Sequence, residues 1–210
     1  MRTDLTEIVL VVDRSGSMSA CQSDAEGGIN SFIDEQKKVP GEANFTLVQF
    51  DTNYDFVHNG IPIKDVPHYT LVPRGWTALL DAVGKAINET GERLANLSED
   101  ERPGAVIVVI VTDGQENSSK EFKLAQVKDM IEHQRADYNW QFTFLGADAN
   151  AFADGAALGI GAHATAQYNP LNTQGAYLAA SGAVSATRCA VAAGKDADLG
   201  YTEDQRDDMT

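Results

Sequence analysis

The sequence predicts an α/β fold: a doubly wound, Rossmann-like sheet of six mostly parallel strands in the order 3-2-1-4-5-6, with one antiparallel edge strand and helices on both faces. Apolar runs alternate with amphipathic helical patterns along most of the chain. Two runs, Ile8–Val12 and Ala105–Val111, are almost continuously apolar, which is typical of strands buried on both faces. The short connection between Asn44–Phe50 and Tyr54–His58 permits only a hairpin, so one of these strands is antiparallel.

The first half of the chain is predicted to form three strands and two helices. A helical stripe of Ile29, Phe32 and Ile33 follows the first strand, and this helix is predicted to end near Pro40. After the hairpin, a proline-containing loop leads to a long helix whose apolar residues recur at three- and four-residue intervals, giving it a wide apolar face. These residues are Leu79, Leu80, Val83, Ile87, Leu94 and Leu97.

The second half continues the alternation of strands and helices. Pro103 and Gly104 are predicted to interrupt the chain before the apolar strand Ala105–Val111. The next helix is marked by apolar residues at helical spacing from Phe122 to Ile131. The remaining predicted elements are a strand at Trp140–Leu145, a short helix at Ala149–Leu158, a short strand at Ala164–Tyr168 and a small-residue helix at Gly175–Val191.

Length and charge limit the organisation and the partners. A chain of 210 residues with 43% apolar content predicts a single domain over residues 1–194, followed by an acidic, flexible tail over 195–210. A formal net charge of −15 argues against binding to nucleic acid or to anionic membranes. The charged start of the chain does not resemble a classical signal peptide, so we expect a cytoplasmic location, or a virion if the protein is phage-encoded.

The cysteines and histidines carry little functional signal. Cys21 and Cys189 both lie in stretches of helical spacing, where a small buried thiol is the ordinary explanation. A disulfide between them is the alternative, and the small number of cysteines favours free thiols. The four histidines are isolated from one another and lack the spacing of transition-metal ligands.

Five oxygen-bearing residues in three separated segments form a candidate metal site. Asp13, Ser15 and Ser17 follow the first apolar run, Thr77 stands at the head of the long helix, and Asp113 follows the central strand. Parallel strands bring their carboxyl ends to one edge of the sheet, where ligands bind at the point at which the strand order reverses. Hydroxyl and carboxylate oxygens are the ligands of hard divalent cations such as Mg²⁺. The sequence therefore predicts a metal site at that edge.

Each of these residues also has an ordinary structural explanation. Asp and Ser favour the turns and helix starts at which Asp13, Ser15 and Ser17 stand. Independent capping does not account for the order and placement of all three segments, so the metal-site interpretation is preferred.

The same residues carry a resemblance to a known family. The DxSxS string of Asp13, Ser15 and Ser17, Thr77 within GWTALLDA, and the TDG that contains Asp113 resemble the metal-ion-dependent adhesion site (MIDAS) of von Willebrand factor A (vWA) domains. All five positions match, and the similarity extends from the first strand to the alanine-rich helix. It implies that the two serines bind the metal directly, that the threonine does so directly or nearly so, and that the two aspartates do so directly or through water.

The resemblance implies a compact, stand-alone member of bacterial or phage type that binds proteins without catalysing a reaction. Its cofactor would be Mg²⁺ or Mn²⁺, with Ca²⁺ as an alternative, and a Glu or Asp side chain of a protein partner would complete the coordination. An alternative is a structural part of a larger assembly, such as a virus particle, or an adaptor of a MoxR-type AAA+ ATPase. A magnesium-dependent phosphohydrolase is disfavoured because Ser15 stands where such enzymes need a second acid.

Several residues near the candidate ligands have open roles. Asp81 is predicted either to orient a group at the metal or to balance the dipole of its helix. Trp76 is an interface anchor in one interpretation and packs beneath its own loop in the preferred one. The residues expected to stand around the metal on the upper surface are Arg14, Met18, Trp76, Gln115, Glu116 and Asn117.

Overall fold

The computed structural model describes residues 1–210, and its centre is a six-stranded sheet. The strands are β1 (Arg2–Asp13), β2 (Glu42–Phe50), β3 (Tyr54–Pro62), β4 (Pro103–Thr112), β5 (Gln141–Gly146) and β6 (Thr165–Gln167). Their spatial order is β3-β2-β1-β4-β5-β6, and only the β2–β3 pair is antiparallel. The predicted strand order and the antiparallel edge hairpin are both confirmed.

Helices cover both faces of the sheet. They are α1 (Gln22–Lys38), α2 (Leu79–Ala95), α3 (Leu124–Tyr138), α4 (Ala151–Ala157), α5 (Thr173–Ala192) and α6 (Glu203–Asp207). Successive β1 side chains point to opposite faces, so Ile8 and Leu10 pack with α1 and α5, whereas Val9 and Val11 pack with α2 and α3. The alternation explains why the central strand is apolar at every position between Ile8 and Val12.

Some element bounds differ from those predicted. The first strand begins at Arg2, because Arg2 pairs with Pro103 and lengthens the ladder beyond the apolar run. Pro103 does not interrupt the chain but is the first residue of β4, a position at which a missing backbone N–H is tolerated. Polar residues at strand ends carry no apolar signal, and the sequence pattern therefore underestimates both strands.

Residues 195–210 do not form the flexible tail that the sequence predicts. Leu199, Tyr201 and Met209 are buried in the same apolar cluster as α1 and α5. Arg206 donates hydrogen bonds to the backbone carbonyls of Thr165, Ala162 and His163, beside the edge strand β6. These three apolar residues are too widely spaced within the acidic segment to form a periodic pattern, so the sequence does not predict their burial. In the folded protein they hold the segment against the sheet and its helices.

The two cysteines are free. Cys21 is half-buried and Cys189 is exposed, so the expected buried position is wrong for Cys189. None of the helices combines the length and the apolar character needed to span a membrane.

Candidate metal centre

The candidate centre lies at the carboxyl edge of the two central strands. Asp13 is the last residue of β1 and Asp113 directly follows β4. Val12 of β1 and Val111 of β4 are partners in the parallel ladder, so the two strands end side by side. The hydroxyl of Thr112 donates to Asp13 Oδ2 at 2.6 Å and ties the first aspartate to the end of the neighbouring strand. The strand order reverses here, as the predicted placement of the site requires.

Four of the five predicted residues are joined by hydrogen bonds. The backbone N–H of Ser15 donates to Asp13 Oδ1 at 2.7 Å. The hydroxyl oxygens of Ser15 and Ser17 lie 2.9 Å apart. Asp113 Oδ1 accepts from the hydroxyl of Ser17 at 2.9 Å and, more weakly, from that of Ser15 at 3.5 Å. Their oxygens therefore point into one small volume between the two strand ends.

Thr77 is brought to the same place by a different set of contacts. Its backbone N–H donates to Asn117 Oδ1 at 3.0 Å, and its carbonyl accepts from the amides of Asn117 and Ser118 at 3.0 and 3.3 Å. A Cβ atom added at Gly114 would lie 3.6 Å from Thr77 Oγ1 and 3.9 Å from Ser17 Oγ. The hydroxyls from two segments thus flank the glycine of the third, and the structure brings all five predicted residues together.

The two aspartates carry negative charge that no cationic side chain balances. Asp13 is 1% exposed, and burial, together with the nearby charge of Asp113, raises its pKa from 3.8 to about 6 despite the bonds from Thr112 and Ser15. Burial also raises the pKa of Asp113. Arg14 follows Asp13 in the chain, but its guanidinium is directed to Asp51 and Asp55 and forms no ion pair with either aspartate.

These residues fit a hard divalent cation. The donor set contains two carboxylates and three hydroxyls, all of them oxygen ligands of the kind that Mg²⁺ and Mn²⁺ prefer. Burial, and to a lesser extent the charge of Asp113, raises the pKa of Asp13, and a cation bound here would favour the ionised carboxylate. Nowhere does the protein gather three or more His, Cys, Asp or Glu side chains that could hold a metal, so a site at this edge depends on its hydroxyls.

Two further carboxylates, those of Glu116 and Asp81, support the site through contacts that the sequence does not predict. Glu116 accepts hydrogen bonds from the amides of Leu80, Ser118 and Ser119 and from the Ser119 hydroxyl. It thereby ties the head of α2 to the loop after β4. A glutamate in a polar loop carries no signal in the sequence that distinguishes it from a solvated one.

Asp81 lies in the first turn of α2, where a carboxylate can balance the helix dipole as predicted, and it also has a role that the sequence does not predict. Its carboxylate accepts from three consecutive backbone amides, those of Lys120, Glu121 and Phe122, at 2.7 to 2.9 Å. It therefore fastens the segment before α3 to the first turn of α2. Its partners are main-chain groups about 40 positions along the chain, which residue identities do not reveal.

The expected surroundings of the site are only partly correct. Arg14 and Met18 are buried instead of standing on the surface. Gln115 and Asn117 are exposed beside the site, as expected. Trp76 is 67% exposed, so the preferred prediction that it packs beneath its loop is wrong. Its backbone N–H is fixed by a 3.0 Å bond to Thr52 Oγ1, which leaves the indole directed outward next to Thr77.

Comparison with known proteins gives similarity of structure only. No family model and no curated protein sequence matches the chain. The PilB minor pilin from Streptococcus sanguinis has a TM-score of 0.60 at 11% identity, with 86% of this chain and 61% of the pilin covered. A von Willebrand factor type A protein from Catenulispora acidiphila has a TM-score of 0.57 at 15% identity, with 88% and 42% covered.

A third structure is less similar. Proximal thread matrix protein 1 from the mussel byssus, with a zinc-occupied MIDAS motif, has a TM-score of 0.45 at 20% identity, with 67% of this chain and 35% of the other covered. The chain spans less than two thirds of the length of each of the three proteins. On its strand order, its helical layers and its similarity to the Catenulispora protein, this chain has the fold of a vWA domain.

Proposed function

We propose that this protein is a metal-dependent protein-binding module. In this proposal Asp13, Ser15, Ser17, Thr77 and Asp113 hold Mg²⁺ or Mn²⁺, with Ca²⁺ as an alternative, and a Glu or Asp side chain of a protein partner completes the coordination. The observation that carries the proposal is the convergence of these five side chains at the carboxyl edge, without any cationic side chain to balance the two aspartates.

The side chains divide into a buried set and an open side. Asp13, Ser15 and Thr77 are buried, whereas Gly16 and Ser17 are exposed. The buried residues hold the site in place, and the exposed pair leaves one side accessible to a partner. When bound, the cation supplies a Lewis-acid charge to which a carboxylate of another protein can bind.

The donor set favours an external carboxylate. Three of the five oxygen ligands are neutral hydroxyls, so only the two aspartates can neutralise the charge of a divalent cation. When one aspartate acts through water, a single carboxylate contacts the cation directly and part of its charge is left unbalanced. A chain with a net charge of −15 repels an acidic partner, and a cation between the two carboxylate-bearing surfaces removes that repulsion locally. This role is non-enzymatic, and we place it in the cytoplasm or in a virus particle.

Metal binding is tested by isothermal titration with MgCl₂ and MnCl₂. We expect one site per chain in the wild-type protein and no uptake by Asp113→Ala. Asp137→Ala is the matched control, because Asp137 is exposed on α3 and lies outside the candidate centre. Uptake by the Asp113 variant equal to that of the control would contradict the proposed ligand set.

Partner binding is tested by size-exclusion chromatography of extract from the source cells, with Mg²⁺ or with EDTA. We expect a co-eluting protein that is lost with EDTA and lost with Asp113→Ala, and its identity decides between an AAA+ ATPase, a particle component and another partner. A screen of phosphate ester hydrolysis with Mg²⁺ tests the enzymatic alternative. Turnover abolished by Asp13→Asn would replace the binding role with a catalytic one.

A further inference from the structure

Asp51 is a buried carboxylate beside the candidate centre that is not one of its proposed ligands. It directly follows β2 and is 2% exposed. Its Oδ2 atom accepts from Nε of Arg14 and from Nε of Arg74, each at 2.8 Å, and its Oδ1 atom accepts from the amide of Asn53 at 2.9 Å. One carboxylate therefore joins two arginines from separate loops to the turn between β2 and β3.

Both arginines belong to loops that carry candidate ligands. Arg14 stands between Asp13 and Ser15, and Arg74 lies three residues before Thr77. The main chain repeats the connection, because the amide of Ala78 donates to the Asp51 carbonyl at 2.7 Å and the amide of Arg74 donates to the Arg14 carbonyl at 2.8 Å. Asp51 thus bonds on both sides of Thr77, through its side chain before that residue and through its backbone after it.

The loop before Thr77 is seated closely on the β2–β3 turn. Gly75 has φ of +70°, and a Cβ atom there would lie 2.7 Å from Thr52 Oγ1, so a side chain at this position is excluded by both conformation and space. The carbonyl of Gly75 accepts from the amide of Gly16 at 3.2 Å, which joins the two ligand-bearing loops directly. The position of Thr77 relative to Ser15 and Ser17 therefore depends on this turn.

Asp51, together with Asp55, also holds the guanidinium of Arg14 away from Asp13. The Arg14 side chain is 6% exposed and adjacent in sequence to Asp13, yet its guanidinium is occupied by Asp51 and Asp55. A guanidinium released from these partners would be a competing cation next to two aspartates that carry no positive partner.

We propose that Asp51 is a positioning residue for the metal centre: it holds the Thr77 loop against the Asp13–Ser17 loop and keeps the Arg14 guanidinium away from the site. This inference rests on the proposed function. Without Asp51, the two loops must be ordered when the cation binds, and the free energy of that ordering is subtracted from the binding free energy. Partners that orient metal ligands from outside the coordination sphere contribute roughly 10–100-fold to metal affinity.

The test compares the Mg²⁺ dissociation constants of wild type, Asp51→Asn and a control variant by isothermal titration. Glu7→Gln is the control, because Glu7 is also a buried, arginine-paired carboxylate but lies six residues before Asp13, about 20 Å along β1. We expect Asp51→Asn to weaken Mg²⁺ binding by roughly tenfold or more. Glu7→Gln should lower the thermal midpoint and leave the dissociation constant unchanged.

A second variant keeps the inference testable if Asp51→Asn does not fold. Arg74 has a 60% exposed side chain, so Arg74→Met removes one of the two guanidinium contacts with little effect on the core. We expect it to weaken Mg²⁺ binding by less than Asp51→Asn does. In the double variant the two losses should not add, because Arg74 acts on the loop through Asp51.

The outcomes separate the two proposals. If wild type binds Mg²⁺ and the Asp51 and Arg74 variants bind it equally well, the positioning role is wrong and the proposed function stands. An equal loss of affinity in Glu7→Gln would make the effect one of general stability and would also overturn the positioning role. If wild type takes up no Mg²⁺ or Mn²⁺, the proposed function fails and the inference fails with it.

Discussion

Glu7 and Asp13 are two buried carboxylates on the same strand with opposite charge environments. Glu7 is 0% exposed, and Arg93 reaches it with two nitrogens at 2.6 and 3.2 Å, while the Thr46 hydroxyl donates to it at 3.1 Å. Asp13 is 1% exposed and has only neutral donors, the hydroxyl of Thr112 and the amide of Ser15. A second carboxylate, that of Asp113, lies nearby and opposes its ionisation.

The difference shows that burial alone does not distinguish a carboxylate that stabilises the fold from one that is available to bind a cation. Glu7 has its counter-charge within the fold, so its ion pair is complete when the protein folds. Asp13 has no such partner, and its charge is left for something outside the chain to balance. The contrast predicts that disrupting the two sites will change stability in opposite directions.

Removal of Arg93, the partner of Glu7, should change the free energy of unfolding the most. Arg93→Met leaves a fully buried carboxylate without its cation, and we expect the free energy of unfolding to fall by about 3 kcal/mol. Urea denaturation at pH 7 measures this change. The Mg²⁺ dissociation constant should not move, and a large change in it would show that the interior pair and the edge site are coupled.

Asp13→Asn should change stability in the opposite direction. It removes an uncompensated buried charge, so at pH 7 without metal we expect the free energy of unfolding to rise by about 2 kcal/mol. The matched substitution Glu7→Gln on the same strand should lower it. The Asp13→Asn variant is also expected to gain no stability from Mg²⁺ in the same urea titrations. A loss of metal-free stability in this variant would invalidate the contrast between the two carboxylates.

The stability of the Asp13 site should depend on pH with a sign set by its raised pKa. Asp13 has a folded-state pKa of about 6, so its contribution to the free energy of unfolding is fully present below pH 4. This contribution is lost as the pH rises through 6, because the folded protein must then bury a charge. Mg²⁺ binds the ionised form, so stabilisation by Mg²⁺ should increase over the same range. Thermal midpoints with and without Mg²⁺ at pH 5 and pH 7.5 measure this, with Asp13→Asn as the baseline. Equal shifts at both pH values would contradict it.

The smallest expected effect is a change in tryptophan emission. Trp76 is 67% exposed next to Thr77, whereas Trp140 is 5% exposed and borders the start of β5. Mg²⁺ binding at the edge should alter the emission of Trp76 alone. The signal should disappear in Trp76→Phe and persist in Trp140→Phe. A response that follows Trp140 instead would place the metal-dependent change elsewhere in the protein.

Much of the fold was predictable because its signals are local. The apolar run Ile8–Val12 reports a strand buried on both faces, and the short link between β2 and β3 allows no other connection than a hairpin. The site could be located for a related reason, since Asp13 ends β1, Asp113 directly follows β4, and parallel strands end at a common edge. Their role as metal ligands stays a prediction.

The supporting contacts could not be predicted because they join distant segments through groups that residue identities do not distinguish. Asp51 binds arginines 37 and 23 positions away, and Asp81 binds three main-chain amides. Met209 and Tyr201 gave no periodic signal within an acidic segment, yet both pack into the core. Such partners become visible only when the chain is folded.

Residue order alone was enough to specify the alternation of strands and helices, the antiparallel edge and the five oxygen-bearing residues of the candidate centre. Periodicity and turn chemistry act over a few residues, so they can be read without coordinates. The folded arrangement decided which buried carboxylates are compensated: Arg93 reaches Glu7, Arg14 turns from Asp13 to Asp51, and the two aspartates at the strand ends are left without a cation. Electrostatic balance depends on distance in three dimensions, and sequence separation does not determine that distance.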